Sequence, residues 1–256
     1  MNILFLGDVT ARSGRDAVMR RLPKLKQETS ADFTIVNGEN AAHGKGITSS
    51  IYRQLIEAGA DVVTLGNHAF SKSEICSRME ECPYLIRPAN LEPKEDGRAW
   101  IVRECHGKKI AVVNVLGSIF MDAAAEDPFV TMDSLLEEIE ADLIICDFHA
   151  EATAEKELFL RVYHDRLAAI IGTHTHVQTA DEQIYHGCAY ISDAGMCGPF
   201  DSILGRDCVE VIDRMVHKQL TKYKPSQAEA MISGVVIEVD ERTCRAVSIR
   251  RIQERP

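Results

Sequence analysis

The chain has 256 residues and a formal net charge of -10; 45% of its residues are hydrophobic and 6% aromatic. This composition suits an ordinary soluble core and weighs against an electropositive nucleic-acid groove, although an acidic protein can still bind phosphate through metal-borne charge. No apolar run reaches the length of a membrane span. The eight scattered cysteines (76, 82, 105, 146, 188, 197, 208, 244) contain no CxxC pair, which argues against a disulfide framework, a zinc finger or an iron–sulfur site and for reduced thiols in a cytoplasmic protein.

The chain starts directly on a strand-like run, Ile3–Leu6, with no basic segment or cleavage site ahead of it, so no signal peptide is expected. Arg15–Thr29 reads as helical in part, with Val18, Leu22 and Leu25 on one face and Pro23 as a local break. Phe33–Val36 is a second strand. Ser49–Ala58 is a helix that buries Ile51, Leu55 and Ile56, capped by Ser49 or Ser50. Val62–Leu65 is a third strand, with a helix following within Ser73–Glu81. This βαβαβ order implies parallel strands with crossover helices.

Trp100–Glu104 and Lys109–Val115 flank the turn-forming pair His106-Gly107 and read as a hairpin. Met132–Glu140 looks helical and Leu143–Phe148 is a strand. Thr153–Val162 is a helix with Thr153 as candidate cap, and Leu167–Ile171 is another strand. A second His-Gly turn, His186-Gly187, precedes the short strand Cys188–Ser192. Cys208–Leu220 reads as a helix, and Gly234–Val239 with Cys244–Ile252 forms a closing hairpin. No repeat, low-complexity tract or long linker interrupts the pattern, so one domain over residues 1–256 is expected. Parallel βα units followed by antiparallel hairpins predict an α/β fold of two mixed sheets packed face to face with helices outside.

Side chains able to hold a metal recur just past the apolar runs. They are Asp8 after Gly7, Glu39-Asn40, Asn67-His68, His149, and the pair His174 and His176 in Gly-Thr-His-Thr-His. Imidazole suits zinc, iron and manganese-type ions, and carboxylate or amide oxygen suits harder divalent ions. Each residue also has a bland reading: Asp8 as a helix cap, Glu39-Asn40 as a polar loop, Asn67-His68 as a capped turn, His149 as a satisfied buried histidine. Five strand ends offering such groups point instead to one two-metal site, in which a carboxylate such as Glu39 can bridge. His68 need not be a ligand; a free imidazole beside the metals can act as general acid. Asp147 and Glu151 are candidate partners that would fix the tautomer of His149. His43 is left open as a lining residue. Lys45 sits between glycines, but P-loop spacing is absent. His106, His164, His186 and His217 carry no catalytic role.

The order Asp8, Glu39-Asn40, Asn67-His68, His149, His174-x-His176 resembles the calcineurin-like metallophosphoesterases. The segments Gly-Glu-Asn-Ala-Ala-His-Gly-Lys-Gly (38–46), Arg-Pro-Ala-Asn (87–90), Asp-Phe-His-Ala-Glu-Ala-Thr (147–153), Gly-Thr-His-Thr-His-Val-Gln-Thr-Ala-Asp (172–181) and Asp-Ser-Ile-Leu-Gly (201–205) resemble their YmdB-like branch, and the likeness runs from Asn2 to about Ile252. It implies a four-layer α/β/β/α sandwich and a dinuclear site. By matching position, Asp8, Glu39, Asn40 and His176 would hold one ion. Glu39, Asn67, His149 and His174 would hold the other, with Glu39 bridging and His68 matching the catalytic histidine. Thr10 stands where most of the superfamily has histidine, and Glu39 where most has aspartate; both are typical of the branch. Ala69-Phe70-Ser71 replaces a Thr-Trp-Asp stretch common there, which bears on the pocket wall.

The resemblance further implies a bacterial, cytoplasmic phosphodiesterase acting on small nucleotide diesters such as 2',3'- or 3',5'-cyclic nucleotides. Two divalent or mixed-valence ions, iron first with manganese or zinc as alternatives, would clamp the phosphate and activate a water, with His68 protonating the leaving oxygen. A phosphomonoesterase or nucleotidase is the nearest alternative; a regulatory phosphate- or RNA-binding protein with secondary hydrolysis is another. The partner expected is a small phosphodiester substrate, with no membrane and no stable nucleic-acid binding; homo-oligomer formation is left open.

Overall fold

The computed structural model describes residues 1–256. Strands β1 (Asn2–Leu6) and β2 (Asp8–Val9) lead into helix α1 (Ala11–Thr29), followed by β3 (Phe33–Asn37), α2 (Ser49–Glu57), β4 (Val62–Thr64), α3 (Ser73–Cys76) and β5 (Leu85–Ile86). The middle comprises β6 (Trp100–Cys105), β7 (Lys108–Leu116), α4 (Pro128–Glu138), β8 (Leu143–His149), α5 (Thr153–Tyr163) and β9 (Ala169–Thr173). The rest is β10 (Gln183–Tyr185), β11 (Cys188–Ile191), β12 (Met196–Pro199), α6 (Cys208–Met215), β13 (Ala230–Asp240) and β14 (Arg245–Glu254).

One sheet runs β2-β12-β13-β1-β3-β4-β5, with β14 also paired to β13; the other runs β10-β11-β9-β8-β7-β6. The predicted parallel units are present: β1, β3, β4 and β5 pair in parallel, as do β7, β8, β9 and β11. The His-Gly pairs turn the hairpins β6–β7 and β10–β11. His106 and His186 take φ 52° and 48°, Gly107 and Gly187 φ 72° and 83°, the left-handed conformation that such tight turns require.

Three apolar clusters give four layers. Ile3, Phe5, Ile35 and Val62 of the first sheet meet Ile110, Val112, Ile145 and Ile171 of the second in a core between the sheets. Val18, Leu22 and Leu25 of α1 and Leu55 of α2 cover the other face of the first sheet. Met132 and Leu135 of α4 with Phe159 and Leu160 of α5 cover the other face of the second. The architecture is thus the α/β/β/α sandwich. The parallel strands are buried on both faces, which is why they read as continuous apolar runs rather than alternating ones, whereas β6, β10 and β14 are partly exposed. No helix is long and apolar enough to cross a membrane.

Several boundaries differ from the sequence reading. Helix α1 passes through Pro23 without ending, because burial of Ala17, Val18, Leu22 and Leu25 outweighs one lost backbone bond. Thr48, not Ser49 or Ser50, caps α2, accepting from the Ile51 N–H at 3.3 Å. α3 spans one turn, separated from a 3-10 turn at Met79–Glu81. α4 starts earlier, at Pro128, capped by Asp127, the position where proline's missing N–H costs nothing. Thr153 opens α5 without capping it. α6 ends at Met215 rather than Leu220; Lys218 takes φ 56° and Leu220 is fully exposed, so no buried stripe sustains further turns. His217 therefore lies outside the helix.

Candidate metal centre

The parallel strands β1, β3, β4, β8 and β9 deliver their C-terminal ends to one place, the usual ligand-binding edge of parallel α/β sheets. Asp8, Glu39, His149, His174 and His176 fall into two groups there, Glu39–His149–His174 and Asp8–Glu39–His176, each with candidate ligand atoms within 4.8 Å of one another. Glu39 belongs to both. The backbone makes room for this: a Cβ on Gly66 would overlap Glu39 Oε2 and His149 Nε2. Asn67 and His68, just beyond Gly66, join the cluster. Asn67 Oδ1 is 3.1 Å from His149 Nε2, and the His68 backbone N–H donates to Glu39 Oε2 at 3.3 Å. Asn40 Nδ2 donates to Glu39 Oε1 at 2.8 Å and approaches His176 Nε2 at 3.0 Å, so its amide must turn over to offer oxygen.

The imidazoles are oriented from behind. The Thr173 hydroxyl donates to Asp147 at 2.6 Å and stands 2.8 Å from His149 Nδ1. With its proton committed to the carboxylate, Thr173 accepts from Nδ1–H, which aims Nε2 at the cluster. Asp147 thus acts on His149 through Thr173. Glu151 does not reach His149; it lies 3.2 Å from His174 Nε2, leaving His174 Nδ1 toward the cluster, 3.1 Å from His149 Nε2. The Leu204 carbonyl accepts from His176 Nδ1 at 3.1 Å, which turns His176 Nε2 inward. Under the His174–His176 loop, Lys156 pairs with Asp193, and Asp193 also accepts from the Thr175 N–H and hydroxyl, each at 2.9 Å.

Without a cation these groups are mismatched. His149 Nε2 faces Asn67 Oδ1, Glu39 Oε2 (3.3 Å) and His174 Nδ1, three acceptors for one nitrogen. A proton there serves one of them, whereas a metal ion serves all. Asp8 Oδ1 is buried with no hydrogen-bond partner. Burial raises the Asp8 carboxyl to about 7 against the pull of His176 and His149. Glu39 feels the same burial, but His149 and its neighbours override it and hold it at about 2. His149 is correspondingly raised to about 9, burial being overcome by Glu39 and Asp8, while burial and the charge on His149 depress His174 to about 4. Fully buried carboxylates clustered with imidazoles form a donor set that a cation would stabilise. The mixed nitrogen and oxygen donors fit transition-type divalent ions.

The cluster opens into a cavity of about 270 Å³ lined by Glu39, Asn40, His68, His174 and His176 on the ligand side, with Lys45, Glu151, Leu204, Arg206 and Tyr223 around it. Burial lowers the His68 pKa, Glu39 opposes this, and Lys45 adds to the drop. His43 is exposed and does not line the cavity. Three features were missed in the sequence: the Lys156–Asp193 pair, the Thr173 relay, and Arg206 with Tyr223 in the cavity wall, where only Leu204 fell within a segment already singled out (201–205). Only Asp193 carried a signal, since it follows β11 as the other acids follow their strands.

Against known proteins, residues 4–252 match the family described as YmdB-like protein. The chain is 46% identical to a 2',3'-cyclic-nucleotide 2'-phosphodiesterase of Bacillus subtilis (strain 168), over 98% of this chain and 96% of that protein. A crystal structure of a hypothetical protein from Thermus thermophilus superposes with a TM-score of 0.93 at 37% identity, covering 99% of both chains. One of a novel phosphatase from Mycoplasma pneumoniae superposes with a TM-score of 0.94 at 35% identity, covering 99% of this chain and 93% of that one. The chain belongs to the YmdB-like family and carries its metallophosphoesterase fold.

Proposed function

We propose that this chain is a metal-dependent phosphodiesterase acting on small nucleotide phosphodiesters such as 2',3'- or 3',5'-cyclic nucleotides. The observation that carries the reading is the membership of Glu39 in both ligand groups. Asp8, Glu39, Asn40 and His176 would hold one ion, and Glu39, Asn67, His149 and His174 the other. When bound, such ions supply Lewis-acid charge to a phosphate and lower the pKa of a coordinated water. The remaining work falls to side chains. Thr173 and Leu204 keep His149 and His176 in the ligating tautomer. His68, in the cavity wall, donates the proton to the departing ester oxygen. The 46% identity to a cyclic-nucleotide phosphodiesterase supports the diester preference. Iron is the first expectation for the metal, with manganese or zinc compatible with the same donors.

The test is metal analysis of the purified protein together with assays on bis-p-nitrophenyl phosphate, p-nitrophenyl phosphate and a 2',3'-cyclic nucleotide. Metal-dependent turnover of the diesters above the monoester is expected. Monoester preference would make the enzyme a phosphatase or nucleotidase instead. Absence of transition metal, with no turnover after iron or manganese is supplied, would overturn the reading.

A further inference from the structure

The stretch between β12 and β13, residues 200–229, supplies the apolar part of the cavity wall. Leu204 and Tyr223 are the two hydrophobic lining residues; the other ten are polar, charged or glycine. The stretch is braced. Arg206 bridges Pro225, the Asp207 N–H donates to Lys224 O at 2.9 Å, and the Ser226 N–H donates to Gly205 O at 3.0 Å. The Arg206 guanidinium grips Glu210 through Nη2 (2.8 Å) and Nε (3.1 Å) and stands 5.2 Å from the centroid of the Tyr223 ring. The Tyr223 hydroxyl donates to Gly44 O at 3.4 Å. Held from two sides, Tyr223 nevertheless remains 37% exposed.

A second cation near this ring is held loosely. Lys45 Nζ lies 5.8 Å from the Tyr223 centroid, near the outer limit of about 6 Å for such contacts. Lys45 is exposed and forms no salt bridge and no side-chain hydrogen bond, so a ligand displaces its ammonium at little cost. The cavity, about 270 Å³, falls just below the usual range of about 300–1,000 Å³ for small-molecule sites. It has room for one nucleoside unit. A fixed aromatic ring beside a phosphate-type site offers what any nucleobase can use, since every base has a π face.

We propose that Tyr223, with Leu204 beside it, is the platform on which the nucleobase of the substrate stacks. This rests on the phosphodiesterase reading only in taking the ligand to be a nucleotide. The test is calorimetric binding of adenosine 3'-monophosphate and of 1-O-methylribose 3-phosphate, which lacks the base, to metal-loaded wild type, Tyr223→Ala and Tyr223→Phe. Wild type should prefer the nucleotide by about 5- to 150-fold, the usual contribution of one stacked base. Tyr223→Ala should lose that preference, Tyr223→Phe should keep it, and metal content should not change in either. A preference that survives Tyr223→Ala, or that falls equally in Tyr223→Phe, overturns the platform. Turnover of 2',3'-cyclic AMP is measured alongside. No turnover with a Tyr223-dependent preference overturns the diesterase reading and leaves the platform standing; turnover with a Tyr223-independent preference overturns the platform alone.

Discussion

Lys156 and Asp193, each 1% exposed, meet at 3.1 Å beneath the loop that carries His174 and His176. Lys156 Nζ also donates to Thr173 O at 3.0 Å, and Asp193 ties down Thr175. The pair joins α5 to the loop and places a neutralised charge pair under the ligand cluster. Removing one partner of such a pair strands a buried charge at a cost of about 3–5 kcal/mol. Lys156→Met should therefore lower the Tm by roughly 10 °C and reduce bound metal, because the loop loses its anchor. Lys156→Met with Asp193→Leu should recover part of the stability but not the metal. Scanning calorimetry and metal analysis of the three proteins check this; a wild-type melt for Lys156→Met alone would refute it.

The space at Gly66 sets a second expectation. Its φ is not in the left-handed region, so alanine fits the backbone there. The added methyl would overlap Glu39 Oε2 and His149 Nε2, two atoms at the centre of the cluster. Gly66→Ala should fold, with an ordinary circular dichroism spectrum, yet bind less metal and lose activity in proportion. A variant that retains the full metal content of wild type would show that the cluster relaxes around the methyl and is looser than its distances suggest.

Much of this site was legible because parallel strands buried on both faces read as apolar runs, and the first polar residues past each run fall on one edge. Asp8, Glu39, Asn67, His149 and His174 share that relationship, so five segments far apart in sequence could be grouped before their distances were known. The orienting groups were not legible. Thr173 closes the Asp147–His149 relay only because β8 and β9 pair with His149 opposite Thr173, a register that neither strand encodes alone. Lys156 looks like any helical lysine until α5 packs against β9. Tyr223 lies in an irregular stretch whose path depends on pairing with Gly205–Asp207, so no periodicity marks it. Pro23 misled for the converse reason: local geometry argued for a break, and tertiary burial decided otherwise.

His68 and Glu39 separate turnover from assembly. Glu39 is common to both ligand groups, and Glu39→Gln removes the negative charge that both share. That protein should lose bound metal and all turnover together. His68 touches the cluster only through its backbone N–H to Glu39, so His68→Ala leaves the candidate ligands intact. It should keep its metal and lose about 10²–10⁴-fold in kcat, the usual range for general acid–base help. The loss should be smaller on a diester with an activated leaving group, which needs less protonation. If His68→Ala and Glu39→Gln lose metal alike, the general-acid role fails and His68 is a structural part of the centre.

Away from the site, His106 reports on the first hairpin turn. His106 Nδ1 lies 2.9 Å from Glu241 and its Nε2 3.4 Å from Asp32. The bond to Glu241, then the charge of Asp32, raises the His106 pKa above 6.5. A raised folded-state pKa contributes stability that is fully present below the unfolded value and is lost as pH rises through the folded value. Glu241 is held low chiefly by the same bond, so the contribution lasts down to the carboxylate range. His106→Asn tests this cleanly, since asparagine tolerates the φ of 52° that the turn needs. The variant should melt below wild type at a pH just under 6.5, and the gap should close as the buffer becomes alkaline. Because the pair is exposed and screened, added salt should narrow the gap as well. Thermal melts across that range, at low and high salt, decide the matter: a gap that is independent of pH would mean that the imidazole packs rather than pairs.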